Sequence, residues 1–301
     1  MPRVLVLGAG GRAGTRLRRG WAELAPGTQA VFQSRRAGPG IDLVLDPAAS
    51  GADGLGAAMQ AVAPDLILCL WGAVVVPGGI PRMEDNRDLA CLAFAAARSA
   101  KVPHVAALSS GIVYGTRPGA AFDEGDALDG ATPYAQSKIA MEQALAALAE
   151  GPDAPGLTCL RLANLAGADM LAGAARQANP SAPLRLDRFP DGSGPVRSYA
   201  STRTLAGLVA ALAREAGSDL PRVLNVADGE QGHAMGDLLD ALGRQGHPVP
   251  WIWQDAPPGA VPRHVISGRR LSDRFPALRA VFCDSPDALA RDWADLEGNT
   301  P

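Results

Sequence analysis

The opening fourteen residues, MPRVLVLGAGGRAG, constrain this chain more than any other stretch. A short Val/Leu run ends in glycines. RAGTRLRRGWAELA follows at once, with Leu17, Trp21 and Leu24 at helical spacing. The pattern is a buried strand, a tight turn and a helix. Gly8, Gly10 and Ala13 fit G-x-G-x-x-A, while Gly8, Gly11 and Gly14 fit G-x-x-G-x-x-G. Either spacing lets backbone approach a pyrophosphate and lets helix pack close on strand, with the first N–H groups of the helix facing the phosphates. Gly8, Gly10, Gly11, Arg12, Ala13 and Gly14 are therefore candidate dinucleotide contacts.

A second strand, QAVFQS, comes next and ends at Ser34, twenty residues beyond Gly14. NAD-binding chains place an Asp or Glu there, to accept from the ribose 2′-hydroxyl. Here the position reads Ser34-Arg35-Arg36. These groups donate rather than accept, and the Arg35 fork suits a 2′-phosphate. NADP(H) is the better fit, with NAD the alternative. Arg12 and Arg36 add positive field. Asp46 is a candidate partner for the adenine amine, or equally an ordinary turn residue before Pro47.

Beyond this unit the chain keeps alternating. IDLVLDP reads as a third strand ended by Pro47, GLGAAMQAVAP as a helix and DLILCLWGAVVV as a fourth strand. The helix MEDNRDLACLAFAAARSA leads to a fifth strand opening HVAALSSGIVYG, and SKIAMEQALAALAE to a sixth opening LTCLRLANLAG. Such alternation predicts an α/β fold with a doubly wound parallel sheet of Rossmann type. After about residue 168 the rhythm breaks into Pro-, Gly- and Arg-rich sequence. The expected organisation is a dinucleotide-binding domain over 1–167, with 197–227 returning to it. Residues 168–301 form mostly a smaller, partly interleaved substrate-binding portion.

Charge and composition exclude some partners. A net charge of -3 gives no electrostatic case for nucleic acid or a membrane surface. No apolar stretch is long and uninterrupted enough to span a bilayer, so the cytoplasm is the expected location. The four cysteines are far apart and read as buried free thiols. His104, His233, His247 and His264 lack metal-ligand spacing, and no metal is expected.

TPYAQSK places Tyr134 and Lys138 four residues apart at a helix start, hence on one face. A neighbouring ammonium favours the phenolate, and a tuned phenol is a usable general acid or base. Together with GAGGRAG, SSGIVYG and LRLANLAG, this segment resembles the extended short-chain dehydrogenase/reductases, the NAD-dependent epimerase/dehydratase family. The resemblance implies Tyr134 as acid/base, Ser110 as the hydroxyl that orients the substrate oxygen, and Lys138 touching the nicotinamide ribose and lowering the tyrosine pKa. It implies Asn86 as a supporting residue; by its residue type alone Asn86 could equally be a helix-entry residue. It also implies Leu70, Trp71 and Gly72 beside the cofactor, with Asn164, Arg197 and Ser110 toward the substrate. Trp71-Gly72 stands where the family usually has Ala-Ala. Gly111-Ile112 replaces the Asp-Glu pair of the dehydratases, which argues against dehydration. In the return segment Ser201-Thr202 replaces the usual Asp.

Two enzymatic readings and one other follow. The first is NADP(H)-dependent hydride transfer at a carbonyl or hydroxyl of a sugar or nucleotide-sugar. The arginines favour it, and Arg185, Arg188, Arg197 and Arg263 would suit a substrate phosphate. The second is a sugar or nucleotide-sugar epimerase, and the third a non-catalytic NADP-binding sensor. Trp251 and Trp253 could stack on a base or sugar, or simply pack the last portion. The Ala/Leu faces of helices over 83–99 and 134–150 suggest a homodimer.

Overall fold

The structure is a computed structural model describing residues 1–73, 82–117 and 119–297. It begins with the strand β1 (Arg3–Leu7), of which Val4 to Leu7 are fully buried. Burial on both faces explains why this strand is uniformly apolar rather than alternating. The central sheet adds β2 (Gln29–Ser34), β3 (Leu43–Val44), β4 (Leu66–Cys69), β5 (His104–Ser110), β6 (Gly156–Leu162) and the strand Val223–Val226. Its seven strands run in the order Val223–Val226, β6, β5, β4, β1, β2, β3. The chain thus winds outward from β1 in one direction and then, from β4, in the other. Ligands of such sheets bind where the order reverses, beyond the carboxyl ends of the strands.

Register sets what meets there. Leu7 pairs with Cys69, and Cys69 with Ala107, all in parallel ladders. The ends of β1, β4 and β5 therefore lie side by side. The helices packed with the sheet include α1 (Arg12–Leu24), α2 (Pro47–Val62), α3 (Asp85–Ser99) and α4 (Pro133–Ala149). Leu5, Leu7, Met59, Ile67, Phe94 and Leu145 build its core, all fully buried.

Two expectations from the sequence change. The third strand shrinks to two residues, because Asp46 caps a helix instead of continuing the strand. Its carboxylate accepts from Ala48 N at 3.0 Å, with Pro47 in the first turn. α2 consequently starts well before GLGAAM and carries a kink at Gly51, where φ is 61°. The expected continuation of the fourth strand into residues 74–76 lies outside the described residues.

The chain divides into two compact units. One comprises 1–115, 127–161 and 206–224, and the other 116–126, 162–205 and 225–301. In the second, Leu184–Arg188 pairs in parallel with Trp251–Asp255. Its core gathers Leu186, Tyr199, Leu238, Leu289 and Trp293. Ser201, standing where the family usually has Asp, does the work of a cap for the helix Thr202–Arg214: its hydroxyl accepts from Thr204 N at 3.1 Å. The four cysteines are free thiols, with Cys91 only partly buried. Among the described residues no helix is long and apolar enough to cross a membrane.

Candidate active site

The glycine turn has the shape its spacing predicts. Gly8 sits at φ +84°, a left-handed conformation that disfavours any side chain, and a Cβ there would lie 2.8 Å from Trp71 Cδ1. A Cβ on Gly14 would lie 2.5 Å from Ala9 Cα, so only glycine lets α1 pack this close to the turn. Gly11 caps α1 without a side chain, and no acidic residue occupies the first turn. The N–H groups and positive dipole end of α1 are therefore left for an outside anion. A dinucleotide pyrophosphate fits this cradle, with Gly8, Gly10, Gly11, Arg12, Ala13 and Gly14 to hold it.

At the end of β2 the sequence reading missed Gln33. Its side chain is fully buried. Its carbonyl oxygen accepts from Gly8 N at 2.9 Å and from Trp71 Nε1 at 3.1 Å, while its amide donates to Leu45 O at 2.5 Å. Trp71 is thereby fixed in the core, its one donor used. Leu70 extends the ladder, donating its N–H to Leu7 O at 2.9 Å. Ser34 stands next to the turn, its Oγ 2.7 Å from where a Cβ of Gly10 would be. Arg35 and Arg36 beside it are exposed, and among the described residues neither guanidinium has a hydrogen-bond or ion-pair partner. The two carboxylates nearest in sequence are engaged elsewhere, Asp42 with Phe32 N at 2.9 Å and Asp46 with its cap.

α4 carries the reactive side chains. Thr132 caps it, accepting from Ala135 N at 3.1 Å, and Pro133 opens the first turn. Tyr134 and Lys138 follow on one face. Ser110 ends β5, and its hydroxyl accepts from Ile112 N at 3.4 Å. Lys138 Nζ donates to Leu108 O at 2.7 Å and stands 3.3 Å from the place of a Gly72 Cβ. Asn86, fully buried near the start of α3, ties this arrangement to the end of β4. Its oxygen accepts from Ala73 N at 3.1 Å, and its amide donates to Ala73 O and Ser137 Oγ, each at 3.0 Å.

The electrostatics differ from expectation in one respect. Burial pushes the Tyr134 phenol above its ordinary value near 10, opposed by the nearby Ser110 hydroxyl and then by the charge of Arg12. Lys138 is not among these influences; its ammonium donates to the Leu108 carbonyl. Burial pushes Lys138 itself down to about 8, against the upward pull of Cys69, Glu142 and Cys159. In this cofactor-free state it is Ser110 and Arg12 that favour the phenolate.

Asn164 and Arg197 lie in the second unit. Asn164 pairs in register with Tyr199. The Arg197 guanidinium donates to Val196 O at 2.8 Å and Val261 O at 2.9 Å. Arg185, Arg188 and Arg263 are exposed or nearly so. Trp251 and Trp253 meet edge to face at 4.8 Å, with Trp253 40% exposed. No cluster of metal-ligating side chains occurs among the described residues.

No curated protein sequence matches the chain. Solved structures share its fold. UDP-glucose 4-epimerase from Stenotrophomonas maltophila, crystallised with NAD and formylated UDP-arabinopyranose, aligns with a TM-score of 0.77 at 20% identity over 99% of this chain and 98% of that one. UDP-glucose 4-epimerase from Brucella ovis, in complex with NAD, gives 0.78 at 20% identity, covering 98% of each chain. The UDP-Glc/GlcNAc 4-epimerase from Campylobacter jejuni gives 0.75 at 15% identity, covering 100% of each. A family model, the NAD dependent epimerase/dehydratase family, matches residues 4–226. That span runs from β1 to the seventh strand of the sheet, across the glycine turn and the Ser110–Tyr134–Lys138 group, and the chain belongs to the NAD-dependent epimerase/dehydratase family of short-chain dehydrogenase/reductase enzymes.

Proposed function

We propose that this protein is an NADP(H)-dependent oxidoreductase acting at a carbonyl or hydroxyl of a sugar or nucleotide-sugar. The observation that carries the reading is Ser110 at the end of β5 together with Tyr134 and Lys138 on one face of α4, Lys138 Nζ donating to Leu108 O in that same strand end at 2.7 Å. The nicotinamide, when bound, supplies or accepts the hydride. Ser110 donates to the substrate oxygen and orients it. Tyr134 gives its phenolic proton to that oxygen during reduction and recovers it during oxidation. Lys138, a turn further along α4, reaches the ribose side of the cofactor. Ser34, Arg35 and Arg36 hold the 2′-phosphate, the two guanidiniums standing exposed beside the turn with no carboxylate to read a 2′-hydroxyl. The exposed arginines of the second unit suit the diphosphate of a nucleotide-sugar, the class to which the ligand of the Stenotrophomonas structure belongs. α3 and α4, packed on each other, are the faces through which we expect a second copy to pair.

The test is a fluorescence titration with NADPH and NADH, followed by turnover with a panel of UDP-ketosugars read from loss of nicotinamide absorbance. NADPH binding at least about tenfold tighter than NADH, with stoichiometric consumption by one ketosugar, is the expected result. The fold shared with NAD-bound 4-epimerases favours a second reading, in which the hydride returns to the same sugar. Sugar inversion without net cofactor consumption would replace the first reading by this one.

A further inference from the structure

Arg18 of α1 joins two segments that a bound dinucleotide would touch together. This half-buried side chain spreads its guanidinium over three acceptors. Nε donates to Ala9 O at 3.0 Å, Nη2 donates to Thr15 Oγ1 at 3.3 Å, and Nη1 donates to Pro39 O. Ala9 lies inside the glycine turn, between Gly8 and Gly10, and its own N–H donates to Gln33 O at 2.8 Å. Pro39 lies in the loop that joins β2 to β3 and carries Arg35 and Arg36. One side chain thus ties the glycine turn to the arginine loop.

The composition of the loop explains why a tether matters. Backbone bonds close it at its ends, where Leu45 N donates to Ser34 O at 3.0 Å and Asp42 N to Phe32 O at 2.9 Å. Between them residues 35–40 read Arg-Arg-Ala-Gly-Pro-Gly and are exposed throughout. Gly38 and Gly40 give such a stretch wide conformational freedom unless something holds it. The Arg18 side chain lies against Gly40, with Nη1 3.5 Å and Cδ 4.0 Å from where a Cβ of that glycine would be. A planar guanidinium suits this task, because its fork of donors can meet separate carbonyls at once.

We propose that Arg18 is a positioning residue for coenzyme selection: it holds the 35–40 loop against the glycine turn, so that Arg35 and Arg36 stand ready for the 2′-phosphate. The inference rests on the reading of Ser34, Arg35 and Arg36 as the contacts of that phosphate. A loop ordered before binding spares the complex the entropy of ordering it, and a bidentate guanidinium contact demands a defined geometry. With the tether cut, the loop samples other conformations, and the arginines meet the phosphate in only a fraction of them. NADPH affinity then falls by that fraction, while NADH, which lacks the phosphate, is indifferent to the loop.

The experiment uses the full chain and two readouts. Arg18→Met keeps an apolar stem beside Gly40 and removes the donors. In fluorescence titrations it should weaken NADPH binding at least about fivefold and leave the NADH Kd within about twofold. Brief digestion with trypsin, at a level where cleavage follows local opening, should cut after Arg35 or Arg36 at least about threefold faster in this variant than in wild type. Mass spectrometry of the new N-termini reads that rate without any dinucleotide. In an Arg35→Ala/Arg36→Ala background, Arg18→Met should weaken NADPH by less than about twofold more, because nothing is left for it to position. A further loss of about fivefold there would make Arg18 a direct partner of the phosphate and overturn the proposal. Equal losses for both dinucleotides would overturn it too, placing the role of Arg18 in the glycine turn, and so would an unchanged cleavage rate. If Arg35→Ala removes the preference for NADPH and Arg18→Met does not, the proposal fails and the reading of the arginines stands. Wild-type protein without that preference ends both.

Discussion

The Lys138 ammonium is bonded to the carbonyl of Leu108, 2.7 Å away, rather than to the phenol of Tyr134 one turn earlier on the same helix. In the cofactor-free protein this lysine braces the end of β5, and the charge that favours the phenolate comes from Arg12. Arg12→Gln is therefore expected to raise the pH at which Tyr134 ionises, and Lys138→Met to leave it nearly unchanged. Tyrosinate absorbance with Tyr134→Phe as the blank reads both. A larger rise in Lys138→Met than in Arg12→Gln would contradict the assignment.

Tyr134→Phe should abolish turnover, since it removes the phenolic proton, and should leave the NADPH Kd within about twofold of wild type. Steady-state kinetics and a fluorescence titration check the two halves separately. Tyr134→Phe with residual turnover near wild type would remove the phenol from the reaction.

Arg35 is exposed, with no partner of its own among the described residues. Its replacement by Ala should weaken NADPH binding by about 1–3 kcal/mol, the range of hydrogen bonds to a charged group, and leave NADH almost unaffected. Equal losses for the two dinucleotides would place Arg35 away from the 2′-phosphate.

His104 gives stability a defined dependence on pH. The Nε2 nitrogen lies 3.0 Å from Thr158 Oγ1, and that hydroxyl donates to Pro221 O, so the imidazole is the donor and its Nδ1 faces no donor. Burial pushes its pKa from 6.5 down to about 4. Between these values the unfolded chain holds a proton that the native one does not, so stability falls as pH drops from 6.5 toward 4, by about 3 kcal/mol through this group. Asp228, pushed up to about 6 by burial, acts with the opposite sign, binding its proton first in the native state. Urea unfolding across this range should show a shallower acid loss in His104→Gln than in wild type. Equal slopes would mean that His104 is not buried neutral.

Gly14→Ala should destabilise the fold and weaken both dinucleotides together, because its Cβ would sit 2.8 Å from Ala9 C and O as well as against Ala9 Cα. Parallel losses for NADPH and NADH, unlike the selective loss in Arg35→Ala, identify the turn as the pyrophosphate seat.

The parts legible in the sequence are those with a short period. Gly8 to Gly14, the alternation of apolar runs with helices, and the Tyr134–Lys138 spacing each depend on neighbours within a turn or two. The signal for α2 was also present, as Asp46-Pro47 is a helix-start pair, but the preceding IDLVL pattern outweighed it. Gln33 was not legible, and neither was the buried group in which Glu142 accepts from Ser109 and Arg161 while Arg161 donates to Tyr114, because these join elements separated by up to 52 residues. Glu142 left one trace: a carboxylate continuing the Tyr134–Lys138 face into an otherwise Ala/Leu-rich helix. The Lys138–Leu108 bond was not legible because spacing fixes which face a side chain occupies, and not which acceptor it finds there.

The Gln33 carboxamide has a consequence for anyone wishing to convert the coenzyme preference of this protein. It meets two donors with its oxygen and an acceptor with its nitrogen. Glu planted there would turn a second oxygen toward the Leu45 carbonyl, setting acceptor against acceptor in a place water does not reach. A carboxylate meant to read a ribose 2′-hydroxyl would have to enter one residue later, at Ser34, which is only partly buried and lies beside Gly10 of the turn.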